Sequence, residues 1–178
     1  MNMELIRTKC WLRQLEFDDA MSIARHANDR EIWLNLRDRF PHPYTVADAE
    51  EYIAYAAEQT PCTSFGIVVD GVAIGTISLM LGHDIERFNA EVGYWIGREF
   101  WGRGIVTDAV VAATSYAFST LERRRVFALP FVRNPASHRV LQKAGYICEG
   151  LMRRSAIKDG QLLDQFLYAT YDDRWNSQ

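Results

Sequence analysis

Two glycines between a strand-like segment and a helical pattern are the residues of this sequence that most directly indicate ligand binding. The chain reads EVGYWIGREFWGRGIVTDA from Glu91, which places Gly102 and Gly104 just before the apolar periodicity of a helix. Glycine lets the backbone turn sharply and approach a ligand closely. The first amides of a helix lack intrahelical acceptors and lie at the positive end of the helix dipole. These residues therefore predict a site for a phosphate or pyrophosphate.

The common nucleotide-binding motifs do not fit this segment. A Walker loop requires Gly-Lys-Ser/Thr after four intervening residues, and the lysine is absent. A dinucleotide-binding fingerprint requires glycine at position 107, where the sequence has Thr107. An isolated Gly-x-Gly also occurs in strand-to-helix turns that bind nothing, and these residues alone leave that alternative open.

A second helical pattern begins at Asn134. The pair Asn134-Pro135 predicts an N-cap followed by the first helical residue, and Gly145 stands where a residue that ends a helix is expected. Ser137 therefore falls in the first turn. There its hydroxyl could donate a proton or a hydrogen bond to a leaving group, or it could be an ordinary first-turn serine.

Together the two segments resemble the GNAT superfamily of N-acetyltransferases. Gly102 and Gly104 match the family's coenzyme A pyrophosphate loop, Gln/Arg-x-x-Gly-x-Gly/Ala, whose first position falls on Glu99. The segment from Asn134 matches Asn-x-x-Ser-x-x-x-x-x-Lys-x-Gly-Phe/Tyr, which lines the pantetheine arm and the thiol in that family. The resemblance covers almost the whole chain and is closest to the branch that contains the ribosomal-protein (alanine) N-acetyltransferases.

This resemblance implies an enzyme that transfers the acetyl group of acetyl-coenzyme A (acetyl-CoA) to a primary amine by direct attack in a ternary complex, without a metal. The amine would be a protein N-terminal α-amine or an amine of a small molecule. The alternative is a non-catalytic coenzyme A sensor or partner-binding module on the same fold. Failure to release thiol with any amine would favour that alternative.

The resemblance also assigns roles to individual residues. Glu91 would accept a proton from the amine, directly or through water, and Ser137 would assist the departing thiolate. A backbone N–H near residues 94–97 would meet the oxyanion. Without the family, Glu91 could equally be an exposed or ion-paired carboxylate of a sheet. The predicted acetyl-CoA contacts are Ile96, Gly97, Gly102, Arg103, Gly104, Ile105, Asn134 and Lys143, and the predicted acceptor contacts are Trp33 and Tyr44.

Composition argues against several other classes of function. The formal net charge of −3 and the sequence pI of about 5.8 disfavour nucleic acid and anionic membranes as partners. The run from Arg123 to Arg125 is therefore interpreted as the solvated end of a helix, with an RNA-binding patch as the alternative. The three cysteines and four histidines are scattered, so no metal site is predicted. Cys148 is expected to be a buried strand residue.

Cellular context and domain organisation follow from what the sequence lacks. Its first residues contain no apolar secretory core, and no window approaches the roughly 18 apolar residues of a membrane span. We therefore expect a soluble, cytoplasmic protein, for which a homodimer is compatible with the sequence. No repeat or linker interrupts the chain, which predicts one acetyltransferase domain over residues 1–178.

The predicted fold is α/β, with a mixed, mostly antiparallel central sheet of six to seven strands flanked by helices. Strands are predicted at residues 4–13, 65–69, 72–81, 90–96, 126–132, 146–152 and 163–171, with a hairpin turn at Asp70-Gly71. Helices are predicted after an N-cap at Asp18, from a capping box at Thr45 and Asp48, at residues 104–121, and from Asn134.

Overall fold

A computed structural model of the chain describes residues 3–4 and 10–172. The chain forms two compact units. The first comprises Met1–Ser78 and Tyr94–Ala109, and the second comprises Leu79–Gly93 and Val110–Gln178. The single domain expected over residues 1–178 stays a prediction.

The first unit contains an antiparallel sheet with helices from the N-terminal half. Its strands are β1 (Met3–Glu4), β2 (Cys10–Arg13), β3 (Ser64–Val69) and β4 (Val72–Leu81, to Ser78 in this unit), paired in that order. Its helices are α1 (Ala20–Ala27), α2 (Arg30–Trp33) and α3 (Val46–Glu58). Asp70 and Gly71 both have positive φ angles, 49° and 83°, as a type I′ hairpin turn requires, so the predicted hairpin is confirmed.

The core of this unit lies between α1, α3 and the sheet. Ile23 on α1 and Ile53 on α3 are 0% and 4% exposed, and both belong to a buried cluster that includes Tyr44 and Val68. The capping box that begins α3 is confirmed. The Thr45 hydroxyl accepts a hydrogen bond from the Asp48 amide at 3.2 Å, and the Asp48 carboxylate accepts from the Thr45 amide at 2.7 Å.

The N-cap predicted at Asp18 is wrong. A 3₁₀ turn, Phe17–Asp19, precedes α1 and has Glu16 as its cap residue. The Asp19 carboxylate accepts hydrogen bonds from the Arg13 guanidinium at 2.6 and 2.9 Å and from the Glu16 amide at 2.8 Å. The pairing of Asp19 with Arg13, a contact with β2 that the local pattern does not contain, fixes where the helix begins.

The second unit contains the other four described strands and two helices. Its strands are β5 (Asn89–Ile96, to Gly93 in this unit), β6 (Arg125–Ala128), β7 (Ile147–Lys158) and β8 (Gln161–Tyr171), paired in the order β5-β6-β8-β7. Only the β5–β6 pairing among these is parallel. Its helices are the main part of α4 (Ile105–Ser119, which begins in the first unit) and α5 (Pro135–Lys143).

Two strands differ in length from their predictions. The strand expected at residues 126–132 ends at Ala128, because the chain then lies against β8 irregularly: the Pro130 carbonyl accepts a hydrogen bond from the Phe166 amide at 3.0 Å. Proline itself has no backbone N–H to donate to a strand ladder. The strand expected to end at Met152 instead continues to Lys158 and forms a long hairpin with β8.

The predicted fold class is confirmed. Among the described residues, the first unit contributes β1 to β4 and the second contributes β5 to β8; apart from the two-residue β1, each strand has four residues or more. The pairs β1–β2, β2–β3, β3–β4, β6–β8 and β7–β8 are antiparallel, and the pair β5–β6 is parallel. Among the helices that the structure describes, none is long and apolar enough to cross a membrane.

Candidate active site

The loop predicted to bind pyrophosphate has the backbone shape that its glycines allow. Gly102 and Gly104 have φ angles of +77° and +80°, and a Cβ added to either would contact nothing within 4 Å. Backbone conformation, and not a steric clash, is therefore the reason for glycine at both positions. Helix α4 begins directly afterwards at Ile105, and its first hydrogen bond runs from the Asp108 amide to the Gly104 carbonyl at 3.3 Å. The amides of residues 105–107 precede that bond and are the donors expected to meet an anion.

Contacts within the first unit brace the segment that leads into this loop. The Gly97 amide donates to the Ile74 carbonyl at 2.8 Å, and the Trp101 indole donates to the Ile96 carbonyl at 3.0 Å. The Arg98 guanidinium pairs with Asp29 at 2.6 Å. The guanidinium carbon of Arg103 lies 5.3 Å from the centre of the Phe100 ring. The loop is therefore held by tertiary contacts on both its backbone and its side chains.

For three of the predicted cofactor contacts, Ile96, Gly97 and Ile105, the structure limits which atoms could touch a ligand. Ile96 and Ile105 are 4% and 9% exposed, so their side chains belong to the core. The Gly97 amide is already bonded to Ile74. This bond removes the Gly97 amide from the backbone donors proposed for the oxyanion.

The two predicted acceptor contacts lie in different environments of the first unit. Trp33, at the end of α2, is half-buried and stacks on the exposed His42 ring, with ring centres 5.7 Å apart. Tyr44 is 6% exposed and packs on Phe40 with ring centres 4.7 Å apart. Burial raises the pKa of the Tyr44 phenol. Trp33 is thus the better placed of the two to meet a substrate, while Tyr44 supports the core.

In the second unit, the predicted base lies where a strand pairing ends. The parallel ladder between β5 and β6 joins Asn89 to Arg125, Ala90 to Val126 and Glu91 to Phe127. Among the described residues the ladder stops there, although β5 continues to Ile96 and β6 to Ala128. The Glu91 side chain is half-buried, on the opposite strand face from the buried Val92. Glu91 therefore lies at the point where the two parallel strands diverge.

The predicted cap at the start of α5 is confirmed. The Asn134 side-chain oxygen accepts a hydrogen bond from the Ser137 amide at 3.1 Å, and Pro135 is the first helical residue. The His138 ring also lies 3.0 Å from the Phe131 carbonyl through Nε2. Because its carbonyl end holds the cap, Asn134 has its amide nitrogen as the end that could meet a ligand. Ser137 is half-buried in the same first turn.

Lys143 lies at the other end of this helix. It is the last residue of α5 and is exposed. It is about 9 Å from Ser137 along the helix axis, at a rise of about 1.5 Å per residue. Its charge complements the C-terminal end of the helix dipole, and its predicted contact with the cofactor stays a prediction.

The predicted residues thus form two groups, one in each unit. The loop residues Ile96, Gly97, Gly102, Arg103, Gly104 and Ile105 belong to the first unit, as do Trp33 and Tyr44. Glu91, Asn134, Ser137 and Lys143 belong to the second. The sequence did not predict Asp29 and Ile74 as residues that brace the loop, because each acts through a contact distant in sequence that no local motif marks.

The basic run has structural partners. The Arg123 guanidinium donates to the Leu121 carbonyl at 2.6 Å and also to the Arg87 carbonyl. Arg124 pairs with the buried Asp172 at 2.9 Å, and Arg125 pairs with Glu149. These contacts correct the interpretation of a solvated helix end and also leave less charge for RNA. Cys148 is exposed, so the prediction of a buried thiol is wrong, because residues 147–155 of β7 are exposed on both faces of the strand.

Comparison with known proteins decides the family. Residues 9–147 match the model of the acetyltransferase (GNAT) domain. This chain is a member of the GNAT acetyltransferase family. YjcK of Bacillus subtilis, provisionally named an N-acetyltransferase, is 38% identical over 165 residues, which cover 84% of this chain and 87% of YjcK. The protein is therefore an acyltransferase that acts on amines.

Other relatives show how varied the acceptors of similar proteins are. YdaF of Bacillus subtilis, provisionally named a ribosomal N-acetyltransferase, is 36% identical over 115 residues, or 64% of this chain and 61% of YdaF. Spermidine N(1)-acetyltransferase of Escherichia coli is 25% identical over 152 residues, or 84% of this chain and 79% of that enzyme. The relatives therefore include proteins named for two kinds of acceptor.

Solved structures agree on the fold. The ribosomal-protein-S5-alanine acetyltransferase from Vibrio fischeri superposes with a TM-score of 0.82 at 23% identity, covering 98% of both chains. At this identity the likeness concerns the fold. Among residues 3–4 and 10–172, no group of three or more His, Cys, Asp or Glu is arranged to hold a metal ion.

The glycine loop is tested by a pair of matched substitutions. Gly102→Asp places a side chain at a positive φ and a negative charge beside the expected pyrophosphate. Gly71→Asp introduces the same strain, at a φ of +83°, in the β3–β4 turn. We expect calorimetry to show acetyl-CoA affinity at least about tenfold weaker for Gly102→Asp, or about 1.4 kcal/mol. Gly71→Asp should bind as the wild type does, and equal affinities for all three proteins would refute the loop assignment.

Ser137 is tested by separating catalysis from binding. If its hydroxyl assists the departing thiolate, Ser137→Ala should lower kcat by about 10- to 100-fold at saturating acetyl-CoA with little change in cofactor affinity. Ser137→Thr keeps a hydroxyl at the same position and should retain more of kcat. Steady-state kinetics and a separate binding titration measure the two effects. A loss confined to the titration would instead make Ser137 a cofactor-binding residue.

Proposed function

We propose that this protein transfers the acetyl group of acetyl-CoA to a primary amine by direct attack in a ternary complex, and that protein N-terminal α-amines are its preferred acceptors. Family membership supports the reaction type. The observation that carries the acetyl-CoA assignment is the pair of left-handed glycines at the start of α4. Such a helix start offers several amides to one anion, which suits the pyrophosphate of coenzyme A.

The reaction needs a neutral amine and no nucleophilic side chain. The amine lone pair attacks the thioester carbonyl carbon, and the C–S bond of the tetrahedral intermediate then breaks to give the amide and the thiolate. Glu91 takes the proton that the amine loses, and the Ser137 hydroxyl donates to the sulfur as it leaves. A backbone N–H of residues 94–96 stabilises the oxyanion. Because the amine itself is the nucleophile, the proposal requires no metal.

Protonation energetics favour an α-amine over a lysine side chain. At pH 7 an α-amine with a pKa of about 8 is deprotonated at a cost of about 1.4 kcal/mol, whereas a lysine amine at about 10.4 costs nearly 5 kcal/mol. A single half-buried carboxylate such as Glu91 therefore suffices for the first and helps less with the second. YdaF, whose provisional name specifies ribosomal acetylation, is consistent with a peptide acceptor.

Several further expectations belong to this proposal. Residues 1–178 would form one catalytic domain, and the protein would work in the cytoplasm, where acetyl-CoA and newly made polypeptides are both present. A homodimer is compatible with it. Asn134 and Lys143 would contact the pantetheine arm, and Trp33 would line the acceptor pocket.

A small-molecule amine is the second candidate acceptor, because a relative named for spermidine covers 84% of this chain. Thiol release from acetyl-CoA with a panel of amines distinguishes the two. We expect peptides with a free N-terminus to give the highest kcat/KM and the same peptides with a blocked N-terminus to give none. Turnover with polyamines or antibiotics alone would refute the α-amine assignment. Binding of acetyl-CoA without turnover of any amine would favour the non-catalytic sensor.

The role of Glu91 is tested by removing its charge at constant size. Glu91→Gln should lower kcat/KM by roughly 10²-fold, as is typical for a lost general base. Glu86→Gln, an exposed carboxylate on the β4–β5 connection, controls for the change in net charge. Wild-type rates for Glu91→Gln would show that Glu91 is a structural carboxylate of the sheet and not the base.

A further inference from the structure

The His26 ring packs directly against the segment that leads into the glycine loop. His26 lies in the last turn of α1 and is 9% exposed. A Cβ added to Gly97 would lie 2.7 Å from its Nδ1 and 3.0 Å from its Cγ. Gly97 has an ordinary φ of −51°. The close approach of the ring, and not the backbone conformation, therefore explains glycine at this position.

The same ring reaches the predicted cofactor-binding arginine through one intermediate side chain. His26 meets the Phe100 ring edge-on, with centres 5.5 Å apart and planes at 78°. The guanidinium carbon of Arg103 lies 5.3 Å from the centre of that Phe100 ring. An arginine over an aromatic face is favourably placed because the cation is attracted to the ring. His26 therefore supports the residue on which Arg103 rests.

His26 also faces the acidic residue of the loop. Its Nδ1 lies 3.3 Å from the Glu99 carboxylate, and the Arg25 guanidinium lies 3.7 Å from the same oxygen. The Asp29–Arg98 pair is the neighbouring ion pair between this part of the chain and the loop. Glu99 occupies the position where the family's loop has glutamine or arginine. A carboxylate there would repel a bound pyrophosphate unless a cation compensates its charge.

We propose that His26 is a positioning residue for the pyrophosphate loop, acting through Gly97 and Phe100 and, when protonated, compensating the charge of Glu99. This inference rests on the proposed binding of acetyl-CoA by that loop. The ring touches the loop residues before the glycines and makes no chemical step itself. Its loss should therefore weaken acetyl-CoA binding and leave the chemical step nearly unchanged.

The charge of the ring gives the proposal a pH signature. Burial is the largest influence and lowers the pKa of His26 below its ordinary value of 6.5, while Glu99 acts to raise it and Arg25 to lower it. The ring is therefore neutral at pH 8, and it gains a proton only as the pH falls through the lowered value. Protonation places a cation beside Glu99, so acidification should strengthen acetyl-CoA binding in a way that depends on both residues.

The test combines three substitutions with calorimetry and kinetics. His26→Ala removes the ring, and we expect acetyl-CoA affinity at pH 8 to fall at least fivefold with kcat at saturating cofactor changed by less than twofold. His26→Phe keeps a ring against Gly97 and Phe100 and should recover affinity at pH 8 to within about twofold of wild type. As the pH is lowered to 5.5, wild type should gain affinity relative to His26→Phe. Glu99→Gln should abolish that gain.

Controls separate this inference from general destabilisation and from failure of the proposed function. Ile53→Ala removes a buried side chain of α3 that is 4% exposed, without touching the loop. An affinity loss in His26→Ala no larger than in Ile53→Ala would overturn the positioning role, as would a fall in kcat with unchanged affinity. Glu58→Gln, at the exposed last residue of α3, removes one negative charge outside the loop and is the control for Glu99→Gln. If wild type binds acetyl-CoA and Gly102→Asp does not, the loop assignment stands whatever the His26 variants show; no binding by wild type would refute the proposed function itself.

Discussion

A helix cannot satisfy its own first amides, and at the start of α4 this constraint leaves backbone donors for an anionic group. Gly102 and Gly104 bring the backbone into α4 through left-handed conformations, so the unpaired donors follow immediately on a tight loop. Contacts from Ile74, Asp29 and His26 hold the residues before the glycines. A loop held in advance loses less conformational entropy when it binds a ligand.

The proposed catalytic residues also lie where regular hydrogen bonding stops. Glu91 is the last residue of β5 in its ladder with β6, and Ser137 is in the first turn of α5, whose cap is Asn134. Interior positions of strands and helices have their backbone groups paired by the element itself. Ends of elements leave such groups to side chains and ligands. Placing reactive groups there gives a substrate access to both backbone donors and polar side chains.

The features that the sequence predicts best are those carried by local chemistry. The Asp70-Gly71 turn, the Thr45–Asp48 capping box and the Asn134 cap each depend on residues within one turn, and all three are confirmed. The start of α1 was misplaced because Asp19 is bound by Arg13 from a different element. The partners of Arg123–Arg125 and the packing of His26 on Gly97 are likewise contacts between distant segments. No periodicity of the sequence encodes such pairings, so the contacts that hold the glycine loop could not be predicted.

Binding of acetyl-CoA and selection of the acceptor amine are separate tasks of the proposed site. In the proposed reaction, recognition of acetyl-CoA by helix amides and departure of the thiolate are the same for every amine. The acceptors differ instead in the free energy needed to deprotonate the amine, from about 1.4 kcal/mol for an α-amine to nearly 5 kcal/mol for a lysine-like amine. They also differ in the shape of the group attached to the nitrogen. A common thioester chemistry with a variable acceptor surface explains how one family contains relatives named for ribosomal proteins and for spermidine. In the proposed site, selectivity therefore has two sources: the base Glu91, through the cost of deprotonation, and surfaces such as the Trp33–His42 stack, which has no part in the chemical step.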